Sequence, residues 1–165
     1  MQPRKIIKNG VIAEDKFQYI ADGSALPASG DIIVDVALWE ARKSDLKNRD
    51  GRVGVLLQGD AEPDAIIDDL RDLAVIAIQF PVFRDGRGFS LARILRDRLG
   101  YKGELRAVGD VLRDQLFFMQ RCGFNAFEPR ADRCIEQALK GLTDFTVVYQ
   151  ADANEKRPIY RRRPA

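Results

Sequence analysis

Apolar residues in this chain fall in short unbroken runs separated by helical stripes, and that alternation restricts what it can fold into. Val53-Gly54-Val55-Leu56-Leu57, Leu73 to Phe80, Leu105-Arg106-Ala107-Val108, Asn125-Ala126-Phe127 and Phe145 to Tyr149 each read as a strand. A continuous apolar run marks a strand buried on both faces. Between them, Pro63 opens a helix whose apolar stripe is Ile66, Ile67 and Leu70. Ser90 reads as the cap of a helix with Leu91, Ile94, Leu95 and Leu99 on one face, ended by Gly100. Asp110 reads as the N-cap of a helix running to Arg121 and closed by Cys122-Gly123. A last helix, about Ala131 to Leu142, places Cys134, Ile135, Ala138, Leu139 and Leu142 on one side. Strand–helix alternation requires parallel strands and right-handed crossovers. The expected fold class is therefore α/β, with repeated βα units forming a mainly parallel sheet of about five strands, half-barrel-like or open.

The flanks follow different rules. Asn9-Gly10, set between Ile6-Ile7 and Val11-Ile12, is a hairpin signal, because both central residues of a type I′ turn need positive φ. A polar loop with Gly23, Pro27 and Gly30 leads to a short strand, Ile32 to Val34, and a helix from Ala37 to Lys47 with Trp39 as its packing anchor. Residues 1–50 thus form an N-terminal hairpin and helix appendage, 51–150 a parallel α/β core, and 151–165 a basic tail. The tail is either a solvated, mobile end or a docking element. In the second case Arg157, Arg161, Arg162 and Arg163 meet an acidic partner with Tyr160 as anchor.

Composition removes several chemistries. There is no histidine, and Cys122 and Cys134 are the only cysteines. Two thiols cannot supply the usual four ligands of an iron–sulfur cluster, and no imidazole is present for acid–base work or axial ligation. No cofactor is therefore expected, and no metal. A net charge of +2 gives no footprint for nucleic acid or a membrane surface. No apolar stretch approaches a membrane span, and MQPRKIIKNG lacks the apolar core of a secretory signal. The expected location is cytoplasmic. Cys122, at a helix C-terminus, and Cys134, on an apolar stripe, both read as packing residues. Phe117, Phe118 and Met119 are consecutive and cannot share one face, so one aromatic should cover a neighbouring element or a subunit interface.

Residues just after parallel strands share one rim, where open α/β proteins place their chemistry. The richest such segment here is Phe83-Arg84-Asp85-Gly86-Arg87-Gly88. Gly86 and Gly88 would let backbone N–H groups approach a ligand, and a helix opened by Ser90 would add its dipole. Arg84, Arg87 and Arg113 would bring permanently charged donors, with Asp85 and Asp110 beside them. Such a rim suits an oxyanion or a phosphorylated ligand. It is neither a Walker loop nor a dinucleotide fingerprint. The competing reading is a glycine turn whose Arg–Asp pairs simply lock the loop.

The same stretch, FPVFRDGRGFSLARILRDRLGYKGELRAVGDVLRDQLFFMQRCGFNAFE, resembles the signature of bacterial domain-of-unknown-function family 934. The order FPxFxDGRGxS, ARxLRxRxGYxGELRAVGDVLRDQ, RCGFxAF carries the resemblance, which spans nearly the whole chain. It implies a genetic setting beside the assimilatory sulfite reductase haemoprotein and an adenylylsulfate reductase. Members are often labelled oxidoreductases, with no established catalytic residues to transfer. The resemblance therefore implies an accessory protein of assimilatory sulfate reduction that supports or binds the sirohaem sulfite reductase subunit. The alternative is a small enzyme or binding protein for a sulfur oxyanion or phosphorylated ligand. A homodimer is a further possibility.

Overall fold

The computed structural model describes residues 4–20 and 24–162. The strands are β1 (Lys5–Lys8), β2 (Val11–Glu14), β3 (Gln18–Tyr19), β4 (Ile32–Asp35), β5 (Val53–Gln58), β6 (Val75–Phe80), β7 (Glu104–Gly109) and β8 (Ala126–Phe127). They form one sheet in the order β2-β1-β8-β7-β6-β5-β4-β3. From β3 to β8 every pairing is parallel, while β1 joins β8 and β2 in antiparallel fashion. The parallel order never reverses, so right-handed crossovers leave the connecting helices on one face. The result is a curled half-barrel.

The curl can be derived from chain length. Eight strands span seven interstrand spacings, about 34 Å if flat. Yet the outermost strands, β2 and β3, are joined by residues 15–17 alone. Four Cα steps reach at most about 14 Å. The two edges must approach each other, and residues 15–17 cross the concave face between them. The hairpin forms as its turn chemistry requires, with Asn9 at φ 50° and Gly10 at φ 78°.

Two expectations about regular structure need correction. Phe145 to Tyr149 is not a strand, because the edge of β8 that it would join is taken by β1, with Ile7 opposite Phe127. The parallel sheet grows at the other end instead, through β3 and β4. The single helix expected over Ala37–Lys47 is two short ones, α1 (Val36–Ala41) and α2 (Lys43–Asn48), broken at Arg42. The segment after β5 is a 3-10 helix, Pro63–Asp69.

Pleating divides the sheet into two apolar zones. Val55, Leu57, Ile76, Ile78, Phe80, Leu105 and Ala107 face the helices and form the main core. That layer includes α3 (Arg87–Arg93), continued by a π-helical turn over Ile94–Arg98, then α4 (Arg113–Cys122) and α5 (Ile135–Lys140). Trp39 is fully buried in the same core, its indole donating to Asp69 at 3.3 Å. Phe17, Ile33, Val75, Ala77 and Val108 make a smaller cluster on the concave side.

Beside that cluster lies a buried ion network. Arg106 on β7 is 1% exposed and donates to Glu104 at 2.7 Å and to both oxygens of Asp15 at 2.9 and 3.1 Å. Asp15 also pairs with Arg4, and Glu104 with Lys8 at 2.6 Å. Burial opposes the charge of Arg106, but Glu104 and Asp15 outweigh it and hold the guanidinium pKa above its ordinary value. The Tyr19 hydroxyl donates to Glu128 at 3.1 Å, which ties β3 to the chain leaving β8 across the mouth of the half-barrel.

Candidate functional site

The rim loop after β6 is built from internal ties. Arg87 donates to Asp85 through Nε (3.0 Å) and Nη2 (2.7 Å), and to Asp60 through Nη1 at 2.6 Å. Those bonds hold the Asp85 carboxyl down at about 2. The nearby carboxylates push the Arg87 guanidinium further up. Gly86 is the N-cap of α3, which starts at Arg87. Ser90 is therefore inside the helix and exposed, not at its cap. Gly88 is buried, and a Cβ there would sit 2.8 Å from the Phe80 ring. Its small size brings α3 close to β6. Arg84 is exposed and makes no side-chain hydrogen bond among the described residues.

Asp110 also differs from its expected role. One carboxylate oxygen accepts the Phe83 N–H at 2.8 Å, and the other accepts Arg130 at 3.1 Å. Helix α4 begins later, at Arg113, where the Gln115 side chain accepts the Leu112 N–H at 3.2 Å. Arg113 turns to Asp144, at 3.1 Å. The expected site residues thus separate into local pairs. Arg87 joins Asp85 and Asp60, Asp110 joins the loop backbone and Arg130, and Arg113 joins Asp144.

Beyond β7 and β8, the rim opens into a cavity of about 680 Å³ between the start of α4, the 129–134 loop and α5. Of the expected site residues, only Arg113 lines it. Sequence reasoning missed Arg133 and misplaced Cys134. Helix α5 starts at Ile135, not Ala131, because Arg130 grips Asp132 at 3.0 and 2.8 Å and the chain turns there. Cys134 is consequently exposed at the helix cap, and its thiol donates to Glu136 at 3.1 Å. The Pro129 and Asp132 pattern was the available signal for a delayed helix start. Cys122 is buried, and burial pushes its thiol pKa up. No group of three or more His, Cys, Asp or Glu among the described residues could hold a metal ion.

A second surface lies over α4. Phe118 is 52% exposed and packs on Phe89, with ring centroids 5.2 Å apart. Phe117 packs on Phe145 at 5.0 Å, and Phe145, Val147 and Tyr149 are each about two-thirds exposed. Val82 and Phe83 continue the band at the rim, where the Gln115 amide donates to the Phe83 carbonyl at 3.3 Å.

The tail packs beside this band. Ala153 N–H donates to the Arg121 carbonyl at 3.0 Å and Arg121 to Asp152 at 3.2 Å. Ile159 N–H donates to the Tyr149 carbonyl at 2.9 Å, and Arg162 folds back onto the Val148 carbonyl. Arg157 is paired with Glu155 at 3.2 Å. Tyr160 and Arg161 remain outward, the guanidinium lying 5.8 Å from the ring centroid. Arg163 lies outside the described residues. No helix among them is long and apolar enough to cross a membrane.

The family described as Bacterial protein of unknown function (DUF934) matches residues 54–160, and the chain belongs to it. A search of curated proteins finds none that matches.

Proposed function

We propose that this member of the family is an accessory protein of assimilatory sulfate reduction that binds the sirohaem sulfite reductase subunit and supports its turnover. The resemblance read from the sequence supplies the partner. The observation that carries the reading is the aromatic band over α4. Val82, Phe83, Phe118, Phe145, Val147 and Tyr149 expose apolar surface along one side of the molecule. Aromatic side chains bury about 150–250 Å² each when covered. Several large apolar side chains exposed together are a feature of interaction surfaces. The predicted anion loop, by contrast, has all three guanidinium nitrogens of Arg87 donating to Asp85 or Asp60. Tyr160 and Arg161 stand outward beside the band and suit a partner with an apolar centre and an acidic rim.

The test titrates the protein into a sulfite reduction assay containing purified sirohaem subunit and a ferredoxin-type donor. The rate is expected to rise and saturate near stoichiometric addition, and the two proteins should co-migrate on gel filtration. Phe118→Ser with Phe145→Ser should weaken binding by roughly several hundredfold, since buried aromatic anchors are worth about 2 kcal/mol each. Arg161→Ala should mainly reduce the association rate and its salt dependence. A wild-type protein that neither co-migrates nor changes the rate would overturn the proposal.

A further inference from the structure

We infer that the cavity beyond the C-terminal ends of β7 and β8 binds a small monoanion carrying an apolar body. The inference stands apart from the docking proposal. It concerns a concave site at the rim, not the convex band over α4.

Three observations carry it. The first is position: barrel-like parallel sheets place ligands among the loops at the C-terminal ends of their strands. The second is size, since about 680 Å³ falls within the range of small-molecule sites. Its walls include Val111, Leu112, Pro129 and Ala138, an apolar surface suited to a ring or short hydrocarbon. The third is charge. Among the described residues the nearest carboxylate to Arg133 is Asp132, at 3.6 Å, beyond hydrogen-bonding distance, and Asp132 is already held twice by Arg130. Arg113 makes one side-chain hydrogen bond among the described residues, to Asp144. A guanidinium carries five N–H donors, so both arginines keep donors free for an anionic group.

The acidic side chains set the limit. Asp114, Asp132 and Asp144 all line the cavity; Asp132 is held by Arg130 and Asp144 by Arg113. Asp114 makes no side-chain hydrogen bond among the described residues and opposes each added negative charge, which disfavours a polyanion. The glycine loop at Arg87 has less of this capacity, because each nitrogen of its guanidinium already donates to Asp85 or Asp60 and two carboxylates neutralise its charge.

Cys134 provides a reporter inside the site, because its exposed thiol lines the cavity while Cys122 is buried. The experiment measures the rate at which iodoacetamide alkylates Cys134 in the full-length protein, read by peptide mass, with benzenesulfonate as probe. Inorganic sulfate serves as the control without an apolar body, and benzyl alcohol as the control without charge. Benzenesulfonate is expected to slow alkylation saturably, with either control much weaker. Arg133→Gln should raise the half-protecting concentration about tenfold, and Asp114→Asn should lower it. Both positions are exposed, and circular dichroism checks that each variant remains folded. Absence of protection at about 10 mM benzenesulfonate overturns the inference. Equal protection by benzyl alcohol, or indifference to both substitutions, overturns it as well.

Discussion

Arg106→Met tests the account of how the half-barrel closes. Arg106 is buried against Glu104 and Asp15, whose side chains are 5% and 1% exposed. Removing one partner of a buried ion pair costs about 3–5 kcal/mol, because the remaining charge is left uncompensated. Here neither carboxylate is abandoned. Asp15 keeps Arg4 and the Phe17 N–H, and Glu104 keeps Lys8. Methionine also retains much of the apolar contact with Phe17, whose ring centroid lies 5.4 Å from the guanidinium carbon. Both facts place the loss near the low end, about 3 kcal/mol, or about 6–12 °C in Tm for a domain of this size. Urea unfolding followed by Trp39 fluorescence measures it directly. Adding Asp15→Asn and Glu104→Gln should recover part of the loss, since each buried carboxylate is left with a single cationic partner, Arg4 or Lys8, in place of two. A loss below about 1 kcal/mol, the value of a surface pair, would refute the reasoning. So would a triple variant no more stable than Arg106→Met.

Two further substitutions examine the helical layer. Burial opposes the charge of Asp69, yet Lys43 at 2.5 Å, Lys47 at 2.7 Å and the Trp39 indole hold its carboxyl at about 2. A pKa depressed on folding stabilises the protein above the unfolded value, and that stability disappears as pH falls toward 2. Wild type should therefore lose about 2 kcal/mol between pH 5 and 2 from this group, and Asp69→Asn should show a flatter acid limb in urea titrations. Gly88→Ala should cost about 1–3 kcal/mol in thermal unfolding, because α3 must retreat from the Phe80 ring. A neutral result would show that α3 approaches β6 less closely.

Strands were legible in the sequence where burial alone forms them. Val53–Leu57 and Leu73–Phe80 lie between neighbours on both sides, so an unbroken apolar run was sufficient. Phe145–Tyr149 has the same β-prone composition, but periodicity carries no information about which edge is already occupied. Helix starts failed for a related reason. A cap requires the local side chain, and Asp110 is drawn away to Phe83 and Arg130, 27 and 20 residues distant. The interior ion network could not be read at all, since Asp15 and Arg106 meet across 91 residues. At the rim, Arg113 was legible as a charge facing a strand end. Arg133 and Cys134 were hidden by a helix assigned four residues too early.

Three arginines of the most distinctive stretch have a common use. Arg87 closes the loop after β6, Arg106 closes the half-barrel, and Arg96 ties the π-helical turn to three backbone carbonyls and to Asn125. Arg96 does this half-buried and without a carboxylate partner among the described residues, and burial lowers its pKa. A guanidinium keeps its proton in a protein, so residues used this way organise structure without moving protons. A distinctive Arg–Asp motif therefore does not by itself imply catalysis. Unengaged groups remain on other side chains: the aromatic band over α4, Arg161 beside it, Arg84 on the rim loop, and Arg113 and Arg133 at the rim cavity. Their chemistry is that of recognition, with apolar area and fixed positive charge presented outward. That distribution is why binding assays, ahead of a search for turnover, are the productive first experiments on this fold.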